Sequence, residues 1–503
     1  MAARCYLSVC LLALASAAFA QTPCDQLRSM ELPGAAVTLA ESVGAGPFQI
    51  PGALPGAAAP MLAAHCRVAL TLKPSPDSDI KAEIWFPVDT GWNGKLLGVG
   101  GGGFVGAINY GAMAGALGEG YATASTDTGH AGGSAEFALG HPEKVVDFAW
   151  RAVHEMTLKA KTIVRAHYGR AARFSYWQGC STGGRQGLME AQRFPEDYDG
   201  IVAGAPANNQ IQLCAWRMAV MVSVLQDPAR ALPPAKIAIL HQAVLDACDA
   251  LDGVKDGLLT DPRQCRFDPA TLLCRGADQN NCLTAPQIET VKMAYRDART
   301  KNGDLIYPGL LPGSEIGWLL PGQSKEPGSI DLGMFRFVAH QDANWDWRAF
   351  DLDRDTALAE QRAGFMEAVN PDLSAFKARG GKLLIYHGWS DGGSGGAISP
   401  VNTIRYYSSV LARMGPDQQS WLRLFMVPGM LHCGGGPGPN QFNALAVLER
   451  WRELGQAPDR IFAAHVAGNR VEMTRPLCPY PELAVYKGSD STNDAGNFAC
   501  RMP

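Results

Sequence analysis

Short apolar runs alternate with helix-spaced segments in two separated blocks of the chain. In the first block Ile80–Val88, Lys95–Val99, Tyr121–Ser125, Phe174–Gln178 and Ile201–Gly204 read as strands. Between the third and fourth, Pro142–Tyr168 has helical spacing, with Val146, Ala149, Val153, Met156 and Ile163 sharing a face. In the second block Lys382–Tyr386 and Leu422–Val427 read as strands, and a helix is predicted over Ile404–Arg413 between them. Strands alternating with helices predict an α/β architecture, a mainly parallel sheet covered on both faces.

Residues 208–345, between the blocks, have several cysteines, an acidic loop, many Pro and Gly and few strand candidates. So long a segment is no simple loop within a compact domain. It predicts an inserted lid domain stapled by disulfides. The chain then divides into a leader (1–20), a first part of the core (21–207), the lid (208–345), and a second part of the core with a C-terminal extension (346–503). The last stretch, from about 474, should fold back on the surface.

The leader carries Arg4, an apolar run from Leu7 to Phe19 and the small-x-small sequence Ala18-Phe19-Ala20. That is the pattern of a secretory signal peptide, cut before Gln21. The run falls short of the roughly 20 residues of a membrane span, so a soluble protein, secreted or periplasmic and with no membrane role, is expected. Export changes how the cysteines read. Of the thirteen, Cys5 and Cys10 lie in the leader; the other eleven should mostly pair and leave one thiol over. Paired C-x-x-C clusters are missing, which argues against a thiolate metal site. A formal charge of −4 with no basic block argues against nucleic acid as a partner.

Candidate chemistry starts where the fourth strand runs into Gly179-Cys180-Ser181-Thr182-Gly183, followed by a helical run from Arg185 to Arg193. This is G-x-S-x-G in the strand–turn–helix setting that exposes a serine nucleophile at the carboxyl end of a sheet. A serine hydroxyl needs a base, and the base an orienting carboxylate. In hydrolases of this fold these follow in the order nucleophile, acid, histidine, each after its own strand. Lys382–Tyr386 leads to Asp391 and Leu422–Val427 leads to His432. His387, His340, His465, Asp342, Asp346 and Asp351 are weaker rivals, His387 because its place at a strand end is more often structural.

Cys180 precedes the serine and Cys433 follows the histidine, so a disulfide between them would clamp base to nucleophile; separate pairing or burial is the alternative. Oxyanion donors are expected from Thr182 and from Gly102 or Gly103, in the glycine run after Lys95–Val99. The G-x-G-x-x-G dinucleotide pattern is missing. In Cys248–Leu258, Asp249, Asp252 and Asp256 with the carbonyls of Val254 and Leu258 can converge on a hard cation such as calcium. Spacing alone fits a solvated acidic turn equally well.

Four stretches, Gly179-Cys-Ser-Thr-Gly-Gly-Arg-Gln186, Asp199-Gly-Ile-Val-Ala-Gly-Ala-Pro206, the acidic loop and Leu431-His432-Cys433, resemble the tannase and feruloyl esterase family, which includes mono(2-hydroxyethyl) terephthalate hydrolase. The resemblance covers nearly the whole mature chain. It implies an α/β-hydrolase core, a lid between the serine and aspartate segments, a structural calcium ion on the loop above, and esters of aromatic carboxylic acids as substrates. It also implies the pairs Cys24–Cys66, Cys180–Cys433, Cys248–Cys265, Cys274–Cys282 and Cys478–Cys500, with Cys214 left as a buried thiol. One departure stands out: a glycine-rich loop, Gly392-Gly-Ser-Gly-Gly396, replaces the family's proline-containing loop after the acid, and should be more mobile.

Trp318, Phe335, Phe337, Trp345 and Trp347, with Arg336 among them, could sandwich a planar acyl ring or simply form the lid's own core. The expected activity is hydrolysis of hydroxycinnamate- or gallate-type esters. A terephthalate monoester or another acyl class is the alternative, and a non-catalytic binding protein a third that the complete triad argues against. A monomer or small homo-oligomer is expected.

Overall fold

The computed structural model describes residues 21–51, 59–318, 325–392 and 397–503. The leader with its cleavage sequence therefore lies outside the described residues. The core is a nine-stranded sheet. In chain order its strands are β1 (Ala35–Val43), β2 (His65–Leu72), β3 (Ile80–Pro87), β4 (Lys95–Val99), β5 (Ala122–Thr126), β6 (Phe174–Cys180), β7 (Gly200–Gly204), β8 (Lys382–Gly388) and β9 (Leu422–Val427). In space they run β1-β2-β3-β5-β4-β6-β7-β8-β9. The strands from β5 to β9 are parallel, whereas β1, β2, β3 and β5 pair antiparallel. The helices used below are α1 (Tyr110–Gly118), α2 (Ala152–Tyr168), α3 (Thr182–Arg193), α4 (Gln210–Gln226), α5 (Pro234–Cys248), α6 (Ala285–Tyr295), α7 (Leu352–Ala363), α8 (Pro400–Met414) and α9 (Ala444–Leu454).

The parallel strands are mostly apolar, and β5, Ala-Thr-Ala-Ser-Thr, is buried throughout, because both faces of this part of the sheet are covered. Trp177, Ile201, Leu383 and Leu424 join Met156 of α2, Leu188 of α3 and Val410 of α8 in one apolar cluster. On the other face Tyr176, Val202, Leu384 and Phe425 pack with Met113 of α1 and Trp451 of α9. Every strand the sequence predicts is present, with ends shifted by a residue or two. The helix predicted over Pro142–Tyr168 is present as Pro142–Val146 and α2, joined by a π-helical turn at Asp147–Arg151.

Between β7 and β8 the chain adds no strand to this sheet. The insert holds α4, α5, α6 and α7 and a small ribbon pairing Ala298–Arg299 with Leu305–Tyr307. Its apolar residues Trp216, Trp318, Phe335 and Trp347 share one cluster with Phe104 and Phe148 of the core. Trp318, Phe335, Trp345 and Trp347 are all buried, so the insert's aromatics do form its interior. Packing continues past residue 345, since Ala359 and Ala363 of α7 and Met366 belong to the same cluster.

After α9 the chain forms a hairpin, Ile461–Ala467 with Arg470–Leu477, and a ribbon, Leu483–Tyr486 with Phe498–Arg501, which Cys478–Cys500 closes. The extension thus begins before residue 474. It also reaches inward: the Arg475 guanidinium donates to the Asp256 carboxylate of the acidic loop.

Candidate active site

At the carboxyl end of β6 the backbone turns sharply, with Ser181 at φ 62° and ψ −122°, and enters α3. A side chain other than glycine's rarely adopts a positive φ, so the turn must be held by its surroundings. The Ser181 N–H donates to Gly204 O at 3.0 Å, and the Ala207 N–H donates to Ser181 O at 3.1 Å, both from the end of β7. Trp177 Nε1 donates to Gly183 O at 2.9 Å. The turn closes only without side chains: a Cβ on Gly179 would fall 2.5 Å from the Gly183 backbone.

The loops after β8 and β9 bring the other two residues together. Asp391 is fully buried and accepts a hydrogen bond from His432 Nδ1 at 2.8 Å through Oδ2. That oxygen also accepts from His387 Nε2 at 3.0 Å, while Oδ1 accepts from the Ile398 N–H at 3.1 Å. Burial pushes the Asp391 carboxyl upward, but the charge of His432 and the bonds from both histidines outweigh it and hold the group at about 2. Asp391 is therefore a carboxylate whenever a histidine base works. With Nδ1 engaged, His432 keeps Nε2 for a proton. Cys180 and Cys433 are bonded, at a Cα–Cα distance of 5.9 Å across 253 residues, so the neighbours of serine and histidine are joined covalently.

Beside the serine, the glycine run after β4 is organised residue by residue. The Gly100 N–H donates to Gln178 O, and the Gly101 N–H to Gln186 Oε1 at 3.1 Å. Gly103 has φ 52°, and its carbonyl accepts from Thr182 Oγ1 at 3.0 Å. Among the described residues the N–H groups of Gly102 and Gly103 meet no protein acceptor. The Thr182 N–H, first in α3, has no intrahelical acceptor either. The loops bearing Ser181, Asp391 and His432 thus follow three parallel strands of one sheet, in the order that α/β-hydrolases use for nucleophile, acid and histidine.

The family model for tannase and feruloyl esterase matches residues 66–501. This chain belongs to that family. An uncharacterised esterase of Xanthomonas campestris is 37% identical, the match covering 97% of this chain and 92% of the relative. A probable feruloyl esterase B of Aspergillus clavatus is 36% identical over 97% of this chain and 98% of its own length. The crystal structure of feruloyl esterase B from Aspergillus oryzae superposes with a TM-score of 0.89 at 32% identity, covering 95% of this chain and 99% of that one. The chain is accordingly a carboxylic-ester hydrolase with a small-molecule ester as its substrate.

All five implied disulfides of this esterase are formed, and Cys214 is the buried free thiol among the described residues. The rival residues are engaged elsewhere. His340 pairs with Asp355 and stacks on Trp345, His465 Nδ1 lies 3.1 Å from Gly438 O, and Asp342, Asp346 and Asp351 cap local turns. Sequence reasoning missed the His387 bond to Asp391, the Gln186 bond to the glycine run, and His130, whose Nε2 lies 2.7 Å from Phe104 O. For His387 the spacing of four from the acid was a usable signal; for the other two there was none. Of the glycine loop after the acid, residues 393–396 lie outside the described residues. Gly392 packs under Trp318, whose Cδ1 a Cβ there would meet at 2.8 Å.

In the acidic loop, buried Asp249 accepts from the Gly257 N–H at 3.0 Å, Asp252 from the Val254 N–H at 3.0 Å, and Asp256 from the Leu258 N–H at 3.2 Å. Burial raises the Asp256 carboxyl and Arg475 opposes that rise. An all-oxygen donor set of three carboxylates suits a hard cation. Its carboxylates are held here by backbone N–H groups and Arg475; among the described residues, the groups of three His, Cys, Asp or Glu whose ligand atoms lie within 4.8 Å of one another are elsewhere.

Proposed function

We propose that this protein is an exported serine esterase that cleaves esters of aromatic carboxylic acids, of the hydroxycinnamate or gallate type. Ser181 Oγ attacks the ester carbonyl carbon as its proton passes to His432 Nε2, and Asp391 stabilises the imidazolium. The tetrahedral oxyanion is received by the N–H of Thr182 and of Gly102 or Gly103. On collapse the alcohol leaves with the proton from His432, and water, activated by the same nitrogen, releases the acid from Ser181. The observation that carries this reading is the Asp391–His432 hydrogen bond at 2.8 Å with the adjacent Cys180–Cys433 bridge. The acyl class rests on the names of the feruloyl esterase relatives.

The insert serves as a lid in this scheme: a Cβ on Gly103 would lie 3.1 Å from Ile330 Cδ1, so the insert abuts the oxyanion loop. Asp249, Asp252 and Asp256 with the carbonyls of Val254 and Leu258 would hold calcium, which supplies positive charge to a loop shared by insert and C-terminal extension. Five disulfides favour an oxidising compartment, and among the described residues no helix is long and apolar enough to cross a membrane.

Turnover of methyl ferulate, methyl gallate and a terephthalate monoester tests the acyl class. One of the first two should exceed the terephthalate ester at least about tenfold in kcat/KM, the margin a well-fitted pocket supplies. Ser181→Ala should lower kcat by about 10⁴-fold or more with folding intact. A variant that kept substantial activity would remove Ser181 from the mechanism.

A further inference from the structure

The nucleophile helix α3 carries a second polar cluster about 13 Å along its axis from Ser181. Glu190 near its C-terminus meets Asp197, in the turn before β7, and His154 of α2. Asp197 is fully buried and Glu190 is 1% exposed. His154 Nδ1 lies 2.7 Å from Asp197 Oδ2, and its ring stacks on Phe194 at 3.7 Å, which fixes the direction of that nitrogen. Both oxygens of Glu190 and Oδ1 of Asp197 are buried without a hydrogen-bond partner. Three carboxylate oxygens without a donor in one place are costly, and they call either for a proton shared between Glu190 and Asp197 or for a missing counter-ion.

Lys161 does not fill that role. Its Nζ stands 4.0 Å from Asp197 Oδ1 and donates instead to the Glu196 carbonyl at 3.0 Å. One ligand atom each from His154, Glu190 and Asp197 lies within 4.8 Å of the others, so a small closing of the side chains would bring all three onto one ion. An imidazole nitrogen with two carboxylates is a donor set that zinc accepts, and His154, 17% exposed in its side chain, leaves a rim for entry and for a water in the fourth position. Burial, the charge of Asp197 and a hydrogen bond shared with it push the Glu190 carboxyl well above its ordinary range, the situation a divalent cation reverses.

We propose that His154, Glu190 and Asp197 form a structural binding site for a divalent transition-metal ion, zinc by its donor chemistry, that ties α2, α3 and the turn before β7 together. The ion takes the place of the proton between His154 and Asp197 and pairs the orphaned oxygens of Glu190. It touches no reacting atom, so its effect is on stability.

Zinc chloride titrated into the mature, calcium-saturated protein tests the site, with bound zinc measured after gel filtration and unfolding followed by heating. The wild type should retain one equivalent and gain about 3 °C in Tm at a hundredfold excess over Kd. Glu190→Gln should retain none and show no zinc-dependent shift. Should that variant fail to fold, His154→Gln, changed at the rim of the cluster, carries the same expectation. A wild type that binds no zinc, or variants that bind it equally, would overturn the proposal and leave the two carboxyls sharing a proton.

Discussion

Asp391 accepts from two histidines at once, and the two are not equivalent. His432 is the proposed proton carrier, whereas His387 is fully buried between Thr403 Oγ1 at 2.8 Å and Asp391. A hydrogen bond to a charged group contributes about 1.5–3 kcal/mol, so His387→Phe should lower kcat roughly tenfold or more with little change in KM. His387→Gln, which restores an N–H donor, should recover part of the loss. Acid stability gives a second readout. Because the folded-state carboxyl is held at about 2, ionised Asp391 contributes stability that is complete above its unfolded pKa and fades as pH falls towards 2. Without His387 that carboxyl rises, and acid unfolding should begin at higher pH; an unchanged acid midpoint and kcat would make His387 mere filling. Ser181, Asp391 and His432 could be picked out as candidates in the sequence because each stands in a loop behind an apolar strand, and the structure joins the last two by a hydrogen bond. The histidine behind the acid reads as structural from its place at a strand end, and only its spacing of four from Asp391 hints at the bond between them.

Elements were legible according to how many of their faces are buried. The parallel strands β4 to β9 are covered on both sides and read as short runs of apolar and small residues. β1 is half-exposed, with Thr38, Glu41 and Ser42 interleaved among its apolar residues, and β2 alternates in the same one-sided way. These antiparallel strands went unread, as did the C-terminal hairpin, in which Phe462 and Val471 face solvent. The insert was legible by exclusion, as a long stretch without strands, but the sequence left open whether its aromatic residues hold a substrate or pack inward. The Cys180–Cys433 bridge acts between elements, joining the loop after β9 to the elbow after β6. Replacing both cysteines by serine should lower kcat more than tenfold, because a displaced base loses near-attack geometry. Replacing Cys274 and Cys282, which close a separation of only 8 residues in the insert, should lower Tm and leave kcat alone. Equal effects on kcat from the two pairs would deny the bridge any role in positioning.

Across the whole molecule, the C-terminal extension returns to the insert through Arg475 and Asp256, at the acidic loop. An ion held there stabilises only the folded chain, so an excess of chelator should lower Tm by about 3 °C or more while kcat at moderate temperature stays within twofold. A Tm indifferent to chelator, with no calcium found by elemental analysis, would leave the loop as a salt-bridged turn. The bridge beside the serine has a consequence of another kind. Its two halves are separated by 253 residues, so base and nucleophile cannot be fastened together until nearly the whole chain has been made. In a reducing cytosol they are not fastened at all. A cell that exports this esterase, as proposed above, would carry it past its own esters in a slackened form and arm it by oxidation on the far side of the membrane; a laboratory host that keeps its thiols reduced would harvest the protein unarmed.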